Sequence, residues 1–124
     1  NLITDAFKLP KGTDEEKTVR KKAIADGTLV ATEVPFRTMQ LGHEGLKLAE
    51  TMIGKSNSNA ASDLGVAILN LVACIKGAWL NVKINLYGVK DQDKAEYFSK
   101  EGEKIYAEAD ALGHKLYDEV LASL

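Results

Sequence analysis

The segment AASDLGVAILNLVACIKGAWLNVKINL, residues 60–86, decides which fold the rest of the chain can adopt. Large apolar residues recur in it at steps of three and four, a spacing that places them along one face of a helix. These residues are Ile68, Val72, Ile75, Trp79, Val82 and Leu86. The segment therefore predicts a long α-helix with one face in a hydrophobic core.

The opposite face of this helix carries small or polar residues and few charges. At about 100° per residue, these residues form a second stripe. They are Asp63, Asn70, Cys74, Gly77, Asn81 and Asn85. A helix face in water usually carries Lys and Glu, so we expect this stripe to be buried as well. Buried asparagines need hydrogen-bond partners. The asparagines could bond to one another, to a neighbouring helix, which would fix the register, or to a polar ligand.

The region before this segment predicts two further helices. Thr13 and Glu16 have the spacing of a capping box, so a helix begins there and runs to about Glu33. Pro35 disfavours helical torsions in the residue before it, so we expect a kink or break at that point. A separate helix over 35–53 should follow.

The C-terminal region predicts one more amphipathic helix, and no strand pattern occurs anywhere in the chain. Its apolar stripe consists of Phe98, Gly102, Ile105, Ala109, Leu112, Leu116 and Val120. Short connections place successive helices side by side. We therefore predict an all-α fold in which residues 1–124 form a single helical domain, an antiparallel bundle of long helices.

Length and charge limit the class of protein. The chain has 124 residues, of which 45% are hydrophobic and 27% are charged, a composition typical of one globular domain. Its formal net charge is −2, so we expect neither nucleic acid nor an anionic membrane as a partner. Polar residues also interrupt the longest apolar stretch before it reaches the about 18 to 20 residues of a bilayer span. No transmembrane helix is therefore expected.

The metal-binding residue types are few. Cys74 is the only cysteine, which excludes an internal disulfide and a cysteine-built zinc site and favours a cytoplasmic location. His43 and His114 each stand without a second ligand at helical spacing, so we expect both to be surface or boundary residues. No metal site is predicted.

Two charged features allow more than one interpretation. Asn59 is a natural N-cap residue, which would put Asp63 in the first helical turn, where the helix dipole stabilises a negative charge by about 0.3 to 1 kcal/mol. The alternative is that Asp63, desolvated by an apolar bundle, transfers a proton. The basic run KTVRKK at 17–22 is either a solvated helix face or a surface for a carboxylate-rich or phosphorylated ligand.

Four blocks of sequence, in their order and spacing, resemble one known family. The blocks are FKLPK at 7–11, TDEEKTVRKKA at 13–23, GKSNSNAASDLGVA at 54–67 and NVKINL at 81–86. They are similar to the cyclodeaminase and cyclohydrolase family of folate metabolism, whose domain stands alone in bacteria and is fused to a formiminotransferase in animals. The family domain opens with a glycine-rich loop and an alanine-rich helix that are not seen here. We therefore expect this chain to be about the C-terminal two-thirds of such a domain.

This resemblance implies an all-helical homodimer that binds a tetrahydrofolate derivative and uses no metal. The first implied reaction is conversion of 5-formiminotetrahydrofolate to 5,10-methenyltetrahydrofolate with release of ammonia. The alternative reaction is hydrolysis of the methenyl compound to 10-formyltetrahydrofolate. A further alternative is a helical scaffold or folate-binding module that keeps the fold without catalysis.

The resemblance also implies roles for individual residues. Asp63 would transfer the proton, and Lys11 would be a catalytic lysine that pairs with Asp63 or with the substrate. The implied substrate-binding residues are Asn57, Asn59, Ser62, Asn81 and Asn85. For the last two, a purely structural role is the alternative. The candidates for binding the polyglutamate tail of folate are Lys17, Arg20, Lys21 and Lys22.

Overall fold

A computed structural model describes residues 1–124 as helices joined by short loops. The helices are α1 (Leu2–Phe7), α2 (Asp14–Met52), α3 (Ala61–Leu86) and α4 (Gln92–Ser123), and a 3₁₀ turn (Ser58–Ala60) precedes α3. No strand is present. The predicted all-α class is confirmed.

The three long helices pack side by side in antiparallel order, because residue numbers rise along one helix as they fall along its neighbour. Between α2 and α3 the close neighbours are Gly42 with Ile75 and Gly45 with Leu71, and Thr28 of α2 lies beside Gly88 just after the end of α3. Between α3 and α4 they are Gly65 with Val120, Val72 with Gly113, and Trp79 with Gly102. The predicted antiparallel arrangement is therefore present.

The hydrophobic core lies between these helices and contains the predicted apolar face of α3. Its fully buried large side chains include Met39, Leu46, Ile68, Ile75, Val82 and Leu116. Trp79 is also buried, and its indole ring lies directly over Gly102 of α4. A side chain at position 102 would overlap the ring, so glycine is required where α3 and α4 approach here.

Pro35 lies inside α2, and the helix continues through it. The predicted break at this position is wrong. Proline has no backbone N–H, so the carbonyl of Ala31 loses the donor that an unbroken helix would give it. Asn85 on α3 supplies another donor, because its Nδ2 lies 2.9 Å from the Ala31 oxygen. A carbonyl left without a partner costs about 1 to 3 kcal/mol, and this hydrogen bond removes that cost.

The second face of α3 is exposed in this chain. Val66, Leu69, Leu80 and Ile84 are 50% to 69% exposed. The polar stripe beside them is also mostly exposed, and of its members only Asn85 is half-buried. The expectation that this stripe is buried is therefore wrong for the single chain. An apolar, charge-poor face in contact with water is the typical mark of a surface that another protein element covers.

Ser58–Leu86 is long and apolar enough to cross a membrane, judged by length and composition alone. The core helix of a soluble protein meets the same criteria, and a third of the most apolar part of this helix is buried against its neighbours. The absence of a transmembrane helix therefore stays a prediction.

His43 is more deeply placed than the sequence suggested, because it is buried between α2 and α4. Its Nε2 lies 3.4 Å from Oε2 of Glu108. Burial lowers the pKa of His43, the positive charge of Lys47 lowers it further, and Glu108 opposes both effects. His43 therefore packs at the contact between α2 and α4 as part of the fold. His114 is exposed, as expected.

The hydrogen bond between Asn85 and Ala31 can be tested by a double-mutant cycle. Asn85→Ala should lower the free energy of unfolding by about 1 to 3 kcal/mol, because Ala31 then has no hydrogen-bond donor. In a Pro35→Ala background the backbone N–H of residue 35 can donate to the same carbonyl. Asn85→Ala should then lower the free energy of unfolding by clearly less. Urea unfolding of the four proteins measures the coupling.

Asn81→Ala is the matched control for this cycle. Asn81 lies one turn before Asn85 on the same side of α3 and is exposed, so its replacement should change the stability by less than about 0.5 kcal/mol. An equal cost of Asn85→Ala in both backgrounds would show that the hydrogen bond does not compensate for Pro35.

Candidate functional site

The residues predicted to form one site lie in three separate places along the bundle. Lys11 is at the end where α2 begins, Asn81 and Asn85 are in the middle, and Asp63 is at the end where α3 begins. A helix rises about 1.5 Å per residue, so Asp63 lies roughly 35 Å from the C-terminal end of α3, close to which Lys11 is found. Lys11 and Asp63 therefore do not pair within one chain.

Asp63 lies in the first turn of α3, as the sequence predicted. It is exposed, so the expected desolvation is not present in the single chain. Its side chain lines a groove of about 430 Å³ between the end of α2 and the start of α3, and it is the only charged residue there. The apolar walls include Leu48, Met52, Leu64 and Leu71. A covering element over this groove would exclude water from the carboxylate.

The loop before α3 is held by Asn57 and not by Asn59. The Asn57 Oδ1 accepts a hydrogen bond from the Asn59 backbone N–H at 3.0 Å and caps the 3₁₀ turn. The N-cap position of α3 is Ala60, which provides no side-chain hydrogen bond, so the expectation that Asn59 caps this helix is wrong. Asn59 and Ser62 are exposed beside Asp63. The negative charge of Asp63 remains favourably placed in the helix dipole.

The middle of the bundle carries a groove between α2 and α3, here called the asparagine groove, with a volume of about 510 Å³. Its α2 residues are Ala31, Val34, Pro35 and Thr38, and its α3 residues are Ala73, Cys74, Gly77, Ala78, Asn81 and Asn85. None of these residues is charged. A groove of this size, mainly apolar with a few polar groups, suits a neutral organic ring. Asn81 and Asn85 are thus brought together as predicted, and Asn85 has a structural role as well.

The N-terminal end of α2 carries a basic pocket of about 270 Å³. Its cationic residues are Lys11, Lys17, Arg20, Lys21 and Lys90, and no carboxylate lines it. The Arg20 guanidinium is held in place, since Nε and Nη2 each lie 3.4 Å from the backbone oxygen of Phe7. Its guanidinium carbon also lies 5.5 Å from the centre of the Phe7 ring. This arrangement can bind a ligand that carries several carboxylates or phosphates.

The cations that line the basic pocket differ at two positions from the set predicted to bind the tail. Lys22 lies outside it and pairs with Asp26 on the same helix, with 2.5 Å between Nζ and Oδ2. Lys90, which sequence analysis did not single out, comes from the loop between α3 and α4 and joins the pocket because α3 ends beside the start of α2. Only the antiparallel packing of these helices reveals that position.

No group of three or more His, Cys, Asp or Glu side chains that could hold a metal ion occurs in the structure. The three places described above differ in the ligand chemistry that each offers. One end has a single carboxylate above an apolar groove, the middle has a neutral groove with amide groups, and the other end has a cluster of cations.

Comparison with known proteins assigns the chain to a family. A family model described as formiminotransferase-cyclodeaminase matches residues 1–104. A methenyltetrahydrofolate cyclohydrolase from Methylorubrum extorquens is 41% identical over 120 residues, which cover 97% of this chain and 58% of that protein. The formimidoyltransferase-cyclodeaminase of Gallus gallus is 37% identical over 89 residues, or 71% of this chain and 16% of that protein. The corresponding protein of Mus musculus is 33% identical over 87 residues, or 70% of this chain and 16% of that protein.

This chain therefore spans little more than half the length of the cyclohydrolase and a small part of the animal proteins. The family match extends over most of the chain and includes every block of sequence that carried the resemblance. The chain belongs to the formiminotransferase-cyclodeaminase family.

Proposed function

We propose that the full-length protein is an enzyme of folate one-carbon metabolism that acts on a tetrahydrofolate derivative. The observation that carries this proposal is the 41% identity with a methenyltetrahydrofolate cyclohydrolase over 97% of the chain. Hydrolysis of 5,10-methenyltetrahydrofolate to 10-formyltetrahydrofolate is the reaction that this relative supports.

Conversion of 5-formiminotetrahydrofolate to the methenyl compound is the second candidate. Four relatives from birds and mammals are named formimidoyltransferase-cyclodeaminase and match 69% to 71% of this chain. Both reactions move protons at N10 and at the one-carbon unit, so they make the same demand for a general acid and base. The sequence motifs implied the ammonia-releasing reaction first, and it stays a prediction.

Asp63 is the residue that we assign to proton transfer. A carboxylate at the edge of an apolar groove can accept and return a proton once the groove is covered and water is excluded. The neighbouring Asn59 and Ser62 are exposed and lie within a few residues of it, which leaves their side chains available to orient the substrate. Asn57 is also exposed, but its Oδ1 already accepts the Asn59 N–H, so it offers the substrate its amide N–H groups.

Turnover by the wild type and by Asp63→Asn tests the reaction and the residue together. Each protein is supplied separately with 5-formiminotetrahydrofolate and with methenyltetrahydrofolate while the methenyl absorbance and ammonia release are followed. Asn keeps the size of Asp but cannot carry the proton, so kcat should fall by about a hundredfold to ten-thousandfold.

The substrate that is consumed identifies the reaction, and ammonia release with methenyl formation identifies a cyclodeaminase. A folded wild-type protein that converts neither compound would leave only the scaffold or folate-binding alternative. Full activity in Asp63→Asn would remove this residue from the mechanism.

We also propose that the protein forms a homodimer through the exposed face of α3. That face is apolar and charge-poor, which is the composition of the buried core of a protein interface. Two α3 helices that pack antiparallel across a two-fold axis place the first turn of one beside the last turns of the other. Such an arrangement would bring Asp63 of one subunit towards the Lys11 end of its partner, so the pair implied by the family resemblance can form between subunits.

Subunit complementation tests this dimer. Asp63→Asn and Lys11→Ala should each abolish turnover when present in both subunits. When the two variants are mixed and allowed to exchange subunits, a heterodimer contains one site with both substitutions and one site with neither. The mixture should then regain roughly a quarter of the wild-type activity. A mixture that stays inactive, although an affinity tag on one variant pulls down the other, would place both residues in the same subunit's site. A wild-type protein that sediments as a monomer would exclude the dimer itself.

The basic pocket is proposed to bind the glutamate tail of the folate. Replacing Arg20 and Lys21 with Gln should raise KM for a polyglutamylated substrate by up to about thirtyfold, because exposed charge pairs contribute about 1 kcal/mol or less each. KM for the monoglutamate should change less, since it carries fewer carboxylates. Added salt should weaken the preference for the longer tail in the wild type.

Lys22→Gln is the matched control for the tail site, because Lys22 lies on the same helix but pairs with Asp26 outside the pocket. Its KM values should equal those of the wild type. If KM of the Arg20 and Lys21 variant rises equally for monoglutamate and polyglutamate substrates, the pocket does not bind the tail.

A further inference from the structure

The short helix α1 packs on α2 and runs antiparallel to it. Ile3 lies against Gly27, with its side chain and backbone 3.1 to 3.3 Å from the place that a Cβ on Gly27 would take. Further along α1, the backbone oxygen of Phe7 accepts hydrogen bonds from Arg20. Residue numbers therefore rise on α1 as they fall on α2, and the start of α1 points towards the middle of α2. A residue that precedes Asn1 enters the bundle at that point.

The stripe of α2 that α1 covers continues to the far end of the helix. Its members recur at steps of three and four residues, a spacing that keeps them on one side of a helix. Beyond α1, Val34, Leu41 and Leu48 of this stripe are 51% to 64% exposed. A regular, mostly apolar stripe of this kind is typical of a seam along which another helix packs. The whole stripe consists of Ala23, Gly27, Val30, Val34, Thr38, Leu41, Gly45, Leu48 and Met52.

The exposed part of this stripe forms one wall of a long groove, and α3 forms the other wall. The asparagine groove lies along it at Val34, and the groove of Asp63 lies along it at Leu48. Asp63 is the only charged residue in the lining of the two grooves. A surface with so little charge is usually covered. The residues of the α3 wall include Ala67, Leu71, Cys74, Gly77 and Asn81.

We propose that the segment preceding Asn1 in the full-length protein lies in this long groove as a helix antiparallel to α2. The end of that segment is fixed beside Val30, where α1 begins. A segment that lies in the groove must therefore run from the Asp63 end towards Val34. Asn1 caps α1, because its Oδ1 accepts the Ile3 N–H at 3.0 Å, so the segment joins α1 through a turn.

The length of chain that such a helix needs is available in a relative. Val34 and Met52 are 18 positions apart in the sequence, which corresponds to about 27 Å along α2, or five turns of a covering helix. The residues matched to the cyclohydrolase of Methylorubrum extorquens are 58% of that protein. A large part of its length therefore has no counterpart in this chain.

The covering segment and the proposed dimer use different sides of α3. The large apolar residues of the exposed α3 face line neither of the two grooves. They are Val66, Leu69, Leu80 and Ile84. The segment would shield the Asp63 carboxylate from water within one subunit. This inference goes beyond the proposed function, since it does not depend on which ligand the protein binds.

Photo-crosslinking in the full-length protein tests the position of the segment. Benzoylphenylalanine replaces Val34, Leu41 or Leu48, one at a time, and mass spectrometry identifies the peptide that is crosslinked after irradiation. Each variant should crosslink to the segment before Asn1 of the same chain. Successive positions are about 10 Å apart along α2, so the crosslinked residue should move away from Asn1 by about seven residues at each step. The experiment needs no substrate, so its result is separate from the folate assignment.

Tyr97 is the matched control, because it is 52% exposed, much like Leu41, but lies on α4 outside both grooves. Benzoylphenylalanine at position 97 should not reach the segment. Crosslinks from Leu41 to a second copy of the chain would give the groove to a partner subunit and overturn the proposal. The reverse order of crosslinked residues, or no crosslink to the segment from any of the three positions, would overturn it as well.

The thiol of Cys74 provides a second test that needs no bulky substitution. Cys74 is exposed in this structure and lines the asparagine groove. In the folded full-length protein it should react with a maleimide at least about a hundredfold more slowly than in urea, because the segment must first move away. Ser99→Cys places a control thiol at an exposed position of α4, and it should react at the rate of the unfolded chain. Equal rates for Cys74 and the control thiol would show that the groove is open.

Discussion

The hydrogen bond from Asn85 to the carbonyl of Ala31 allows α2 to run unbroken through Pro35, and the rest of the bundle depends on that continuity. α2 is the longest helix and the one that contacts α1, α3 and α4. Its 39 residues reach from the basic pocket at one end of the bundle to the groove of Asp63 at the other. A break at position 35 would divide this helix, and the groove between the two ends would lose one of its walls.

Features that depend on neighbouring residues could be predicted from the sequence. The capping box at Thr13 forms as expected, because both of its hydrogen bonds join residues three positions apart. The course of α2 through Pro35 could not be predicted in this way, because the compensating donor on Asn85 comes from another helix, 54 residues away along the chain.

In the candidate site, too, the contacts between residues distant in sequence could not be predicted from the sequence. Motifs that resemble one family suggested that Lys11 and Asp63 act together, but a motif gives order along the chain and not distance in space. In a bundle of long helices, residues at opposite ends of one helix are tens of ångströms apart. Lys90 shows the converse, because it is distant in sequence from Lys11 yet lines the same pocket. The polar stripe of α3 was expected to be buried for a sound reason, its lack of charge, but the single chain does not contain the surface that would cover it.

The lengths of the helices restrict how the three places can act on one ligand. The asparagine groove and the basic pocket lie along one stripe of α2, within reach of one extended molecule that has a neutral ring and an acidic tail. Asp63 of the same chain lies on the other side of the groove, about 21 Å along α3 from Gly77. In the proposed dimer the partner chain runs in the opposite direction, so its Asp63 would approach the end of α3 that bears Asn85. That carboxylate would then lie beside the asparagine groove of the other subunit, so the proposed dimer is the arrangement in which all three places can act on one ligand.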